Sequence, residues 1–423
     1  MDKINNILEE IKLPKVVKVN QTFDNRSIKN VEKEIKRLLN EGNFKSKIEK
    51  GKTIAITGGS RGISNYKIIM KTIVDFVKEE GGIPFIVPAM GSHGGGDDKG
   101  QKHILENLGI TEESMGCEIK SSMEVVEIGK TVKNLPVYID KNAFNANGII
   151  LLNRIKAHTS FRGEYESGLV KMLAIGLGKR KGADITHYLR FENMAENILL
   201  SAKVSLDKLN ILFGVATIEN AYDEVAEIEI MNKEDILIKE PLLLKKSKEL
   251  MGKLYLDNID VLIVKEMGKN ISGTGMDTNI IGRYHTKAAS WGPNVTKLGV
   301  LRLNDSSSGN ANGMGLADFI SKSFYNSIEF ESTYLNAITS TEPNSIKLPM
   351  VVDNDRYVFK ACAKTCGILN YEDIKLVIIE NTKNLKEIYM SEAAYKSVNE
   401  PKMVKVQGDY FEIKFDDKGN LNI

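Results

Sequence analysis

The stretch TIAITGGSRGIS at residues 53–64, followed by IPFIVPAMGSHGGG at residues 83–96, decides the fold class. Each stretch begins with a short apolar run, typical of a buried strand, and continues into a glycine-rich loop. Between them, Ile69, Ile73 and Val77 recur at helical spacing, so the region predicts a β-α-β unit. Such a unit implies a parallel sheet with its ligands beyond the carboxyl ends of the strands.

The same pattern continues outward along the chain and restarts near Asp257, which predicts two α/β domains with mostly parallel sheets and an active-site cleft between them. Residues 1–255 are predicted to form the N-terminal catalytic and cofactor-binding domain, and residues 256–423 the domain that closes the cleft. A helix is expected over 316–325 and a β-hairpin over 403–415, with the tail 403–423 packing on either domain. The further strands are predicted at 148–153, 209–217, 261–264, 297–303 and 375–380.

The composition limits the possible partners. Of the 423 residues, 42% are hydrophobic and 27% charged, and 58 basic residues against 56 acidic ones leave a net charge of +2. This balance argues against nucleic acid or an anionic membrane as the main partner. Three cysteines exclude a disulfide scaffold and indicate a reducing compartment. We therefore expect a cytoplasmic protein with no nucleic-acid or membrane partner.

The loop after the first strand resembles the glycine fingerprint of short-chain dehydrogenases. However, Ser64 stands where that fingerprint has its third glycine, and no acidic residue ends the next strand to hold a ribose hydroxyl. An NAD-dependent oxidoreductase that uses the Gly58 loop stays an alternative. Ser60 and Arg61, at a helix N-terminus, also suit a phosphate group. A tight glycine turn with an exposed arginine explains the same residues without a ligand.

Five histidines in the whole chain make each position informative. His93 lies in a glycine-rich loop after a strand, and His158 follows a later strand beside the cationic Arg154. His187 lies sixteen residues after Lys171, a lysine with apolar neighbours that either reaches the surface or serves as a nucleophilic amine. Taken singly, each is more simply a solvated or structural residue. Together they predict imidazole acid–base chemistry on an anionic substrate with a covalently or metal-bound cofactor.

The order and spacing of these residues resemble the nickel-dependent lactate racemase family, whose members use a nickel pincer nucleotide. This cofactor is a pyridinium mononucleotide with two sulfur-containing arms, a thioamide and a thiocarboxylate. The resemblance implies that Ser60 and Arg61 contact its phosphate, that Lys171 tethers it and that His187 binds nickel. Soft donors plus one imidazole agree with the general preferences of planar nickel.

The resemblance also implies an acid–base pair, His93 and His158, for a 2-hydroxy acid racemase or epimerase. One histidine takes the hydroxyl proton while the cofactor accepts the Cα hydride, and the hydride then returns to the other face of the planar keto acid. The partners implied are a small anionic 2-hydroxy acid and, transiently, the proteins that synthesise the cofactor. Candidate substrate contacts are Arg154 and, in the second domain, Lys269, Arg283 and His285.

Two departures from the family pattern leave the substrate open. Gly58 and Gly59 stand where the racemases carry an acid, and the stretch 158–171 is a few residues longer. A non-catalytic ligand-binding homologue therefore stays a further alternative, because fold does not determine function. Cys362 and Cys366 are interpreted as core thiols.

Overall fold

Parallel β-sheets form the centre of both parts of the chain. The computed structural model describes residues 2–188 and 190–423. The chain divides into an inserted unit, Asn25–Met251, and a flanking unit made of Met1–Asp24 with Gly252–Ile423. The predicted α/β fold class is confirmed, since helices cover mostly parallel sheets.

The secondary structure is numbered in chain order. The strands are β1 (Val16–Gln21), β2 (Thr53–Gly58), β3 (Ile83–Pro88), β4 (Glu118–Ile119), β5 (Val125–Lys130), β6 (Pro136–Asp140), β7 (Gly148–Arg154), β8 (Ile211–Glu219), β9 (Val225–Met231), β10 (Asn258–Met267), β11 (Asn294–Leu303), β12 (Phe319–Ser321), β13 (Met350–Val352), β14 (Leu376–Ile379), β15 (Glu387–Ser391) and β16 (Val404–Phe411). The α-helices are α1 (Asp2–Glu9), α2 (Val31–Glu41), α3 (Tyr66–Glu79), α4 (Asp98–Asn107), α5 (Glu112–Met115), α6 (Lys141–Phe144), α7 (Leu169–Lys171), α8 (Lys179–Tyr188), α9 (Met194–Lys208), α10 (Ile236–Leu250), α11 (Thr278–Ile281), α12 (Lys322–Asn326), α13 (Phe330–Thr339), α14 (Asp355–Thr365) and α15 (Glu392–Lys396).

The inserted unit contains a six-stranded sheet in the order β4-β3-β2-β7-β8-β9. All neighbouring strands are parallel except β8 and β9, which are antiparallel. From β2 the chain proceeds to β3 and β4 on one side, whereas β7 leads to β8 on the other. The strand order therefore reverses between β2 and β7, and such a reversal is where open α/β sheets bind ligands.

The predicted β-α-β unit forms as β2, α3 and β3. Ile69, Ile73 and Val77 of α3 are completely buried, and Ile54 and Ile56 of β2 belong to the same core cluster. Burial of one such side chain stabilises the fold by about 1.5–3 kcal/mol. The apolar residues that recur at helical spacing in the sequence therefore form the face of α3 that packs on the sheet.

The flanking unit has an eight-stranded sheet in the order β13-β12-β11-β10-β14-β15-β1-β16. Its first five strands are parallel, and β15, β1 and β16 are antiparallel to their neighbours. Strand β1 pairs on one side with β15, as Val17 opposite Met390, and on the other with β16, as Val19 opposite Val406.

The sequence analysis assigned residues 1–24 to the N-terminal domain, but the structure places them in the flanking unit. The reason is that β1 fills the gap between β15 and β16, where Val16, Val17 and Val19 are completely buried. The second change of unit, between Met251 and Gly252, lies four residues before the predicted boundary at 255.

Two local predictions are corrected by the structure. Residues 316–325 do not form one helix, because Phe319–Ser321 is strand β12 between β11 and β13, and the Ser321 side chain then caps α12. Residues 403–415 are not a hairpin, since β16 is a single strand that pairs with β1. The tail 403–423 belongs to the flanking unit. Within the described ranges, no helix combines the length and apolar character needed to cross a bilayer.

Removal of residues 1–24 is expected to expose the β16 backbone to solvent exchange, because β1 is its hydrogen-bonded neighbour. Hydrogen exchange followed by mass spectrometry checks this: amides of 404–411 should lose protection, whereas those of β2 and β7 should keep it. Removal of residues 1–10 is the matched control, since it deletes α1 but leaves β1. Unchanged protection of 404–411 in the longer deletion would contradict the assigned pairing.

Candidate functional site

The candidate site lies at the carboxyl edge of the sheet in the inserted unit. Ser60 and Arg61 follow β2, His93 follows β3 and His158 follows β7. The hydroxyl of Ser60 is 3.2 Å from the His93 ring. Because these strands are neighbours and parallel, the structure brings the predicted residues of three loops to one edge.

His93 has its ring orientation set by the loop that carries it. Its Nδ1 atom is 2.8 Å from the Met90 carbonyl oxygen and 3.2 Å from Ser60 Oγ. Because a carbonyl oxygen only accepts, Nδ1 is the donor, and the neutral ring has its lone pair on Nε2. This tautomer is the one that a general base at Nε2 needs. The His93 side chain is also exposed to solvent.

His158 has the opposite tautomer. The backbone N–H of Ser160 donates to His158 Nδ1 at 3.0 Å, so the proton of the neutral ring is on Nε2. The ring packs on Phe161, with centroids 4.3 Å apart. Burial lowers the pKa of His158 well below its ordinary value, and the charges of Lys171 and His187 lower it further. One ring of the pair can accept a proton at Nε2 while the other donates a hydrogen bond.

The backbone of His158 is held by a buried acid, Glu166. One carboxylate oxygen accepts the His158 backbone N–H at 2.7 Å, and the other pairs with Lys248 at 2.7 Å. Arg162 donates to the carbonyl of His158 at 2.5 Å and lies 3.4 Å from Glu166. The longer stretch between His158 and Lys171 therefore supports His158. The sequence analysis missed this role because Lys248 comes from a distant helix.

Lys171 and His187 are joined by an unusual helix. Lys171 ends α7, the next five residues Met172–Gly176 form a π-helical turn, and α8 then carries His187. Single π-helical turns occur frequently at functional sites, since they shift the side chains that follow.

The pKa values of both side chains suit covalent and metal chemistry. Burial, with a contribution from the charges of Arg61 and Lys156, lowers the pKa of Lys171 to about 8. At pH 7 about a tenth of this amine is therefore neutral and nucleophilic. Burial, together with the charge of Lys171, lowers the pKa of His187 to about 4, so its imidazole is neutral and able to bind a metal.

Several cations converge on the site. The Arg61 side chain reaches solvent. Partial desolvation by the surrounding protein lowers the pKa of Arg61, and the positive charge of Arg154 lowers it further. Arg154 forms an ion pair with Glu219. The other carboxylate oxygen of Glu219 accepts the backbone N–H of Ser64 at 2.6 Å. Because these positive charges destabilise one another, an anion bound among them is favoured.

A comparison with known protein families gives a match over the region that contains these residues. Residues 4–198 match the family model described as lactate racemase N-terminal domain. The match covers 195 of the 423 residues and supports the lactate racemase family. No curated protein matches the chain. Among solved structures, the lactate racemase apoprotein from Thermoanaerobacterium thermosaccharolyticum is 13% identical, with 87% of this chain and 89% of that chain covered and a TM-score of 0.48.

All predicted cofactor and acid–base residues, from Ser60 to His187, lie within the matched region. In the flanking unit, Arg283 donates to the carbonyls of Val295 and Leu316 and pairs with Asp318 at 2.8 Å. These contacts tie β11 to the loop before β12 and give Arg283 a structural role.

The other two candidates of the flanking unit are Lys269 and His285. Lys269 Nζ donates to the carbonyl of Gly273 at 3.0 Å. Burial lowers the pKa of His285 to about 4, so its ring is neutral at pH 7. A substrate role for Lys269, Arg283 or His285 stays a prediction.

The thiols and acids of the described residues form no metal-binding cluster. Cys362 and Cys366 are buried free thiols of the flanking unit, in or directly after α14. Across residues 2–188 and 190–423, no group of three or more His, Cys, Asp or Glu side chains is placed to hold a metal ion.

A second buried acid, Glu240 of α10, lies against the segment that presents Lys171. Its carboxylate accepts the Val170 backbone N–H at 3.0 Å. It occupies the space beside Gly168, where an added Cβ would be 2.3 Å from a Glu240 oxygen. Burial raises the pKa of Glu240 to about 7, against an ordinary value of 4.5. A side chain at Gly168 would therefore have to displace this carboxylate, and Glu240 is a local source of pH dependence.

The replacement Glu240→Gln is expected to flatten the pH dependence of stability. The folded protein binds the Glu240 proton more tightly than the unfolded chain, so its stability falls as the pH rises from about 4.5 to about 7. The lost stability at pH 8 is at most about 3 kcal/mol. Urea unfolding at pH 5 and pH 8 measures the difference. Glu249→Gln, at an exposed position of the same helix, is the control. The prediction would be contradicted if the free energy of unfolding changed equally between pH 5 and pH 8 in both variants.

Proposed function

We propose that the protein is a racemase or epimerase of a 2-hydroxy acid that uses a lysine-tethered nickel pincer nucleotide. The match of residues 4–198 to the lactate racemase N-terminal domain supports racemase or epimerase activity in general. The nickel, the nucleotide and the substrate class belong to the proposal. The observation that carries it is the pair His93 and His158, two imidazoles of opposite tautomer at one sheet edge, beside an amine with a pKa of about 8.

The side chains at the site fit such a cofactor by their chemistry. Lys171 offers an amine that is partly neutral at pH 7, as an acyl-type linkage to one arm requires. His187 offers a neutral imidazole for nickel, and Arg61 with Ser60 offers a cationic loop for a phosphate. When bound, the cofactor supplies a centre that accepts a hydride from the substrate and returns it.

The chain's own residues then bind the substrate and move its protons. The cation Lys156, which acts on the pKa of Lys171, attracts the substrate carboxylate. His93 takes the hydroxyl proton at Nε2, because its Nδ1–H is held by Met90. His158 gives a hydrogen bond from its Nε2–H to the substrate oxygen on the opposite side, with Ser160 maintaining that tautomer. The proton that His93 has taken up returns to the substrate oxygen at the end of the reaction, so each turnover leaves the site with the same number of protons.

Intact-protein mass spectrometry with nickel analysis tests the cofactor. Protein produced in the native host or a cofactor-synthesising strain should carry nickel and a mass increment, because Lys171 is the tether. Lys171→Ala should lose both, whereas the control Lys181→Ala, at an exposed lysine nearby, should keep both. His187→Ala should keep the increment and lose nickel.

If the protein without substitutions carried neither nickel nor the mass increment, the cofactor proposal would be overturned and a non-catalytic homologue would be favoured. Tight NAD binding without nickel would instead support the oxidoreductase alternative. A cytoplasmic location also stays a prediction, in line with the free thiols of Cys117, Cys362 and Cys366.

Isotope retention tests the reaction type. Interconversion of 2-hydroxy acid enantiomers in D₂O should leave protium at Cα, because a transferred hydride does not exchange with solvent. Chiral chromatography with mass detection measures both product and label. His158→Ala should reduce interconversion by about 10²–10⁴-fold, the usual contribution of a general acid or base, while the Lys171 adduct remains. Deuterium at Cα would indicate proton abstraction from carbon and contradict the hydride route.

A further inference from the structure

Lys179 is a fully buried lysine that the proposed chemistry does not use. It is the first residue of α8, and its φ of +53° is uncommon for a residue other than glycine. Its ammonium donates to the Pro88 carbonyl at 2.6 Å and to Gln101 Oε1 at 3.0 Å, and lies 3.3 Å from Asp140. A buried ammonium is costly unless it is paired and hydrogen-bonded, so these three contacts account for its place in the core.

Gln101 extends this network to the acid–base loop. Its side chain is completely buried on α4, and its Nε2 donates to the carbonyls of Gly91 at 2.9 Å and His93 at 3.3 Å. Since Oε1 accepts from the ammonium of Lys179, the orientation of the amide is determined. A chain of contacts therefore runs from Asp140 through Lys179 and Gln101 to the backbone of His93.

The same loop also touches the π-helical turn. The backbone N–H of Gly91 donates to the Gly176 carbonyl at 3.2 Å. Gly91 has a φ of +60°, and an added Cβ would lie 2.9 Å from Ile175 Cγ2. The His93 loop thus rests directly on the turn that follows Lys171, while Lys179 begins the helix that bears His187.

We propose that Lys179 and Gln101 are positioning residues, which hold the His93 loop in register with helix α8. The catalytic consequence rests on the proposed function, in which His93 and His187 serve one reaction. Neither side chain contacts the substrate, because both are enclosed and bonded to backbone carbonyls and to each other. Loss of the Gln101 amide frees the His93 loop, and loss of the Lys179 ammonium removes the link between that loop and α8.

The first test uses Gln101→Met and Gln101→Glu in the protein without cofactor. Both variants lose the amide donor to Gly91 and His93, but Gln101→Glu keeps an acceptor for Lys179. Hydrogen exchange of residues 89–96 should accelerate at least about tenfold in both. The ¹⁵N resonances of the His93 ring should lose the Nδ1–H tautomer. His103→Gln, at an exposed position of the same helix, is the control and should change neither.

The second test uses the loaded enzyme. In the Gln101 variants, kcat should fall by about 10–100-fold, the usual effect of an outer-sphere contact, while KM, the adduct and the nickel content stay unchanged. Lys179→Met should have the same effect and should also accelerate exchange at the start of α8. If Lys179→Met fails to fold, the two Gln101 variants carry the test.

The outcomes separate this inference from the proposed function. Unchanged exchange of 89–96 and an unchanged His93 tautomer in both Gln101 variants would overturn the positioning role, even if the unmodified protein is an active racemase. Accelerated exchange confined to that loop would support it, even if the unmodified protein carries no adduct. Equal acceleration throughout the inserted unit would show a general loss of stability and would also overturn it.

Discussion

The parallel pairing of β2 with β7 is the constraint on which the site depends. These strands are joined in register from Ile54 opposite Gly148 to Ile56 opposite Ile150, and the strand order reverses between them. The pairing places the loop of Arg61 beside the loop of His158, although about a hundred residues separate them in the chain. A shift of one residue would turn every β2 side chain to the other face, so the buried isoleucines maintain the register.

Much of the inserted unit could be predicted from the sequence because its signals are local. The β-branched run of β2, the helical spacing of α3 and the glycines that follow are close to one another in the sequence. The positions of His93 and His158 followed from the same pattern, since each comes directly after a predicted strand. The order of Lys171 and His187 indicated the family, but no periodicity predicts the π-helical turn between them.

What the sequence could not predict depends on contacts between distant segments. Residues 1–24 contain an ordinary strand whose partners lie more than 360 residues away, so neither its unit nor its pairing was visible. Glu166 owes its role to Lys248, and Lys179 to Gln101 and Asp140. In the linear sequence these side chains are charged or polar residues among many, and only the fold shows that they are buried.

The discontinuity of the flanking unit has a consequence for synthesis on the ribosome. Strand β1 emerges before the inserted unit, whereas β15 and β16, between which it lies, emerge after that unit. The inserted unit is complete in the meantime and can fold as a local domain. The nascent chain therefore carries this apolar strand without its partners while more than 360 further residues are made. This strand is exposed to wrong pairing or aggregation until residues 387–411 emerge, and the high sequence separation of its contacts makes this closing step slow.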